Sequence, residues 1–124
     1  TNLIISGYSQ SNILSNGFID IFILSTSKSN PSSVNWVKYI GTPSFSEFSK
    51  ALSIKADGTI LLLGTISANG YTNGNNDIFL ASLTSTGTTN FVQYMGGTIS
   101  ETPGYVVWNA ATKEYTVLMN SNSV

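Results

Sequence analysis

The side chains able to move protons in this chain are few. Its carboxylates are Asp20, Glu47, Asp57, Asp77, Glu101 and Glu114, joined by five lysines and by no histidine, arginine or cysteine. Neither a Ser-His-Asp nor a Cys-His arrangement can be assembled. A glycosidase-like pair would need two carboxyl groups in unlike environments, one of them kept protonated. The spacing argues against such a pair. Asp20 and Asp77 open the same tripeptide, Asp-Ile-Phe, 57 residues apart, and Glu47 and Glu101 recur 54 residues apart. A carboxylate that appears twice in equivalent places serves a structural need twice. We therefore expect Asp20 and Asp77 to accept hydrogen bonds at strand starts, and we expect no enzyme activity.

Two further groups of residues could bind something. Asn73-x-Asn75-x-Asp77 alternates oxygen ligands as calcium loops do. However, Ile78 stands where such a loop turns on glycine, and Thr84 where it supplies a bidentate glutamate. Asn73, Asn75 and Asp77 are a weak calcium candidate, and a solvated Asn/Gly loop explains them equally. No cofactor is implied. Trp36 and Trp108 could stack on sugars if exposed, whereas tryptophan in β-strands more often packs in the core, the reading favoured here.

The elements that must position these residues read as strands. Short β-favouring runs cover 2–8, 18–25, 34–40, 49–55, 59–66, 77–83, 90–95, 105–109 and 115–120, separated by Gly, Pro, Asn and Ser clusters. Asp57-Gly58 between two apolar runs is a hairpin signal, because both residues tolerate positive φ. No segment has helical periodicity, so the expected class is all-β.

The runs repeat. Trp36-Val37-Lys38-Tyr39-Ile40-Gly41 returns as Phe91-Val92-Gln93-Tyr94-Met95-Gly96, which marks Tyr39, Tyr94, Gly41 and Gly96 as structural repeat positions beside Asp20 and Asp77. The period is about 56 residues, with four strands in each. One all-β unit over 1–124 is expected, made of a leading strand (1–9), repeat one (18–66) and repeat two (75–120). Ile21 to Leu24 and Ile60 to Leu63 are apolar at consecutive positions. Such runs fit strands buried on both faces, as in stacked propeller blades, better than strands with one wet face. The expected architecture is thus two four-stranded antiparallel, propeller-blade-like repeats plus the leading strand, with a β-sandwich of the same nine strands as the alternative.

Composition sets the outer limits. Charged residues make up 9% of the chain and the net charge is −1, while Ser, Thr and Asn number 19, 14 and 13. Scattered lysines exclude a nucleic-acid surface of the usual kind, which needs clustered cations. The longest aliphatic run, Ile60 to Leu63, is too short for a membrane-spanning helix, and no membrane insertion is expected. The neutral, hydroxyl-rich surface suits an extracellular or cell-surface protein. It offers sites for O-glycosylation, while no Asn-x-Ser/Thr sequon exists. The chain opens at Thr1 rather than Met, which reads as a processed or trimmed segment.

The order of motifs also resembles a known family. Asp77 to Leu83, Ser85 to Gly87, Phe91 to Gly97 and Leu52 to Gly64 are similar to the bacterial beta-propeller repeats called SBBP. The first copy departs at Ser32-Ser33 and Thr42, where glycines are missing, and the second at 110–114, where the Asp-Gly turn is missing. The resemblance implies an extracellular or envelope repeat module with no shared catalytic residues. Two blades do not close a ring. Open faces must then be covered by copies of the same chain, through strand exchange or head-to-tail packing, as in a filament or surface layer. The alternative function is a segment of a larger propeller that recognises a glycan or a protein.

Overall fold

The described residues of the computed structural model are 2–10, 18–67 and 76–121. They hold nine strands: β1 (Asn2–Ser9), β2 (Asp20–Ser27), β3 (Val34–Ile40), β4 (Ser46–Ile54), β5 (Ile60–Ser67), β6 (Asn76–Leu83), β7 (Thr89–Met95), β8 (Glu101–Asn109) and β9 (Glu114–Ser121). The chain is all-β, and every pairing between these strands is antiparallel. Each strand read from the sequence is present, with ends shifted by a few residues.

The grouping of the strands differs from the expected one. Three sheets form, in the order β1-β2-β3, β4-β5-β6-β7 and β8-β9. Two sheets cut from β2–β5 and β6–β9 do not occur, because β5 pairs with β6 along eight positions, from Ile60↔Leu83 to Ser67↔Asn76. The sheet boundaries therefore fall two strands away from the sequence repeats. Nor is β1 an unpaired leading strand: it runs beside β2 from Asn2↔Ser27 to Ser9↔Asp20. Its place beside β2 matches the place of β5 beside β6.

The sheets stack in three layers, with the four-stranded sheet in the middle. Ile21, Ile23 and Ile40 of the first sheet pack with Ile60, Leu62, Phe79, Ala81 and Leu83 of the middle sheet. On the opposite face of the middle sheet, Leu61, Leu63, Ile78 and Leu80 pack with Val106 of the third. Successive strand residues point to opposite faces. A strand covered on both faces must therefore be apolar at consecutive positions, and Ile60, Leu61, Leu62 and Leu63 are all fully buried.

Four hairpin turns share one end of the stack. At Asp57-Gly58, the Gly58 amide donates to the Lys55 carbonyl at 2.9 Å and the Lys55 amide to the Thr59 carbonyl at 2.9 Å. Gly58 adopts φ +84°, whereas Asp57 does not take the positive φ that the type I′ reading of Asp-Gly would give it. The longer 110–113 turn ends on Lys113 at φ +57°, where the repeat has glycine.

Candidate assembly surfaces and the repeat carboxylates

The repeated carboxylates sit at the other end of the stack, at the seams between sheets. Asp20 is the first residue of β2 and Asp77 the second of β6, and both are buried. Each lies directly on a glycine of the following loop: a Cβ built on Gly41 would overlap the Asp20 carboxyl, and one on Gly96 the Asp77 carboxyl. Two of the repeat positions, the Asp and the Gly, thus meet in a close contact made twice.

Glu47 and Glu101 stand at the start of the first strand of the next sheet, Glu47 second in β4 and Glu101 first in β8. Glu47 is anchored across the seam, its amide donating to the Ile19 carbonyl at 2.8 Å. Ile19 also makes a parallel bridge with Ser46. The Thr42 hydroxyl donates to Glu47 Oε1 at 2.7 Å, while Oε2 is buried without a hydrogen-bond partner. Burial pushes the Glu47 carboxyl above its ordinary value; the Thr42 hydrogen bonds oppose this, and the neighbouring Asp20 charge adds to it. In the second copy Gly97 replaces Thr42, and the Ser121 hydroxyl donates to Glu101 Oε1 at 3.1 Å instead. A shallow depression of about 270 Å³ lies beside Glu101, lined by Gly96, Gly97, Met119 and Ser121. These acids are matched parts of two equivalent seams.

Asn73 and Asn75 of the calcium candidate lie outside the described residues. Its third member, Asp77, is turned onto Gly96. Among the described residues, no group of three or more acidic, histidine or cysteine side chains could hold a metal ion. Among the described residues, no helix is long and apolar enough to cross a membrane.

Both tryptophans are engaged by the protein. Trp36 packs against the first core cluster, and its ring meets Gly87 of the β6–β7 turn. Its indole N–H donates to the Ser85 carbonyl at 3.1 Å. Trp108 lies 4.7 Å from Tyr115, centroid to centroid. Lys55 Nζ sits 4.1 Å over the Trp108 ring and 3.6 Å from Asp57. Both tryptophans are half-buried, and the Trp36–Ser85 and Lys55–Trp108 contacts join one sheet to the next. Of the tyrosines, Tyr8 packs edge-on against Phe48 across the first seam at 5.1 Å, and Tyr94 tilts on Phe79 of its own sheet at 5.9 Å. Tyr39 stands opposite Phe22 on the outer face of the first sheet.

That outer face was not singled out in the sequence. It carries Leu3, Ile5 and Val37, exposed at 38%, 45% and 49%, beside the half-buried Phe22, Leu24 and Tyr39. At the opposite end, the outer face of the third sheet shows Tyr105, Val107 and Leu118 at 68%, 55% and 58% exposure. Period-two alternation was the available signal: in β8 and β9 both alternating sets contain apolar residues, as they do in the doubly covered β5. No protein-family model and no curated protein matches this chain.

Proposed function

We propose that the chain is a non-enzymatic structural module that associates with copies of itself through the two ends of its sheet stack. The observation that carries this reading is the pair of apolar faces on the outer sheets that no other sheet of the described residues covers. Inside the molecule, faces of the same kind are covered by the next sheet. Contiguous exposed apolar surface marks interaction sites in soluble proteins. With a net charge of −1, close packing of copies meets little repulsion. We read the sheets as blade-like units in the manner of SBBP repeats. An extracellular or cell-surface setting, with O-glycosylation of the hydroxyl-rich exterior, suits the composition.

Sedimentation over a wide concentration range tests the proposal. A size that grows with concentration, and polymers on a microscope grid, are expected. A monomer at every concentration would overturn it. A second reading, a segment of a larger propeller that recognises a glycan or a protein, is favoured by the incomplete outer sheets of three and two strands. Its mark would be a stable monomer that binds glycans or proteins through its loops.

A further inference from the structure

We infer that the copies stack head to tail, the outer face of β8-β9 in one copy lying on the outer face of β1-β2-β3 in the next, with every strand kept in its own sheet. This rests on the proposed self-association and adds its geometry. Equivalent residues of successive sheets point the same way along the stack. Ile21 and Ile23 of β2 face the middle sheet, and their repeat partners Ile78 and Leu80 of β6 face the third. Each sheet thus has a forward face and a rear face, and both internal seams join a forward face to a rear face. Tyr105, Val107 and Leu118 form the uncovered forward face, and Leu3, Ile5, Phe22, Leu24 and Val37 the uncovered rear face. A contact between them continues the two seams already present. A two-fold dimer would instead join like to like, which neither seam does.

Strand exchange is the rival geometry, and the register argues against it. The β8-β9 pair could complete a four-stranded sheet only by putting β9 in the place of β1 beside β2. Ser9, Ile66 and Ser121 occupy equivalent positions in the three sheets, opposite Asp20, Asp77 and beside Glu101 respectively. Counting back two residues sets Met119 where Gly7 and Gly64 stand. At Gly7 a Cβ would already lie 2.7 Å from the Phe22 ring, so a methionine there would displace it. Meanwhile β1 would give up eight paired positions.

The chain has no cysteine, so introduced thiols report alone. Ile5→Cys and Val107→Cys are each treated with a short bismaleimide, singly and mixed, with Leu3→Cys and Leu118→Cys as a second set. All four positions are solvent-accessible, and unchanged melting confirms folding. Cross-linked dimers that form in the mixture and not in either variant alone are expected. Leu118→Lys should weaken association roughly 100-fold by placing a charge in the contact. Dimers formed by a single variant would overturn head-to-tail stacking while leaving self-association intact. So would oligomers in which β1 loses its protection from hydrogen exchange, the mark of strand exchange. Monomers throughout would overturn both readings.

Discussion

At the scale of single residues, the seams are set by a few tight contacts. Gly41 and Gly96 leave no room for a side chain beside the Asp20 and Asp77 carboxyls. Gly41→Ala should therefore destabilise the fold by about 1–3 kcal/mol, the usual range for overpacking, as read from urea unfolding. Glu47 carries a pH signature. Its carboxyl is raised above the ordinary value of 4.5, so the fold favours the neutral form. That contribution is present below the unfolded pKa and is lost as pH rises through the raised native value. Glu47→Gln keeps an oxygen to accept the Thr42 hydroxyl and removes the buried charge. Its melting temperature should exceed that of the parent at pH 7, by about 1 kcal/mol in stability, and the difference should shrink below pH 4.5. Equal melting curves at both pH values would refute this account of Glu47.

At the scale of elements, β5 shows how the sheets are layered. In a strand covered on one face only, one of two neighbouring residues faces water. Here Leu61 and Leu62 are both fully buried, in different core clusters. Leu61→Ala and Leu62→Ala should each cost about 2–5 kcal/mol. A cost below about 0.5 kcal/mol for either would mean that its layer is absent. The double burial of β5 was legible in the sequence, as were the strands, because consecutive apolar residues and period-two runs state it directly; the same run in β2 misled, since Phe22 and Leu24 lie half-buried on the outer face. The grouping of strands into sheets was not legible. A repeating pattern defines a period and leaves its starting point open. The segments that cross between sheets, Gly41-Thr42-Pro43-Ser44-Phe45 and Gly96-Gly97-Thr98-Ile99-Ser100, carry the same Gly, Ser and Thr punctuation as loops within a sheet. The Asp-to-Gly contacts were visible only as recurrence. The burial of Glu47 against Thr42 and Asp20 depends on two sheets meeting, which no local pattern records.

At the scale of the whole molecule, the chemistry of the outer faces fixes how assembly should respond to solution conditions. The large exposed side chains at both ends are aliphatic and aromatic, with Thr116, Asn109 and Glu114 continuing the outer face of the third sheet beyond Leu118, and the lysines are few. Screening by sodium chloride should therefore change the association constant less than about threefold between 0.1 and 1 M. Sulfate, which is excluded from protein surfaces, should strengthen association. A steep loss of association with sodium chloride, measured by sedimentation, would point to an ionic contact instead of the apolar faces.

The two-strand offset between sequence repeat and sheet has a mechanical consequence. The junction between the repeats falls inside the middle sheet, where β5 and β6 lie side by side. A protease that severs the backbone between Ser67 and Asn76 therefore separates two repeats without separating two layers. The halves remain clasped by the β5–β6 hydrogen-bond ladder and by both cores on either side of it. Such a nicked chain should elute as one species in native buffer and as two fragments in denaturant. A cut between Ile40 and Ser46, where the chain crosses from one layer to the next, leaves no ladder between its products. Side-chain packing, the Trp36–Ser85 hydrogen bond and the Ile19–Ser46 bridge are then what hold them.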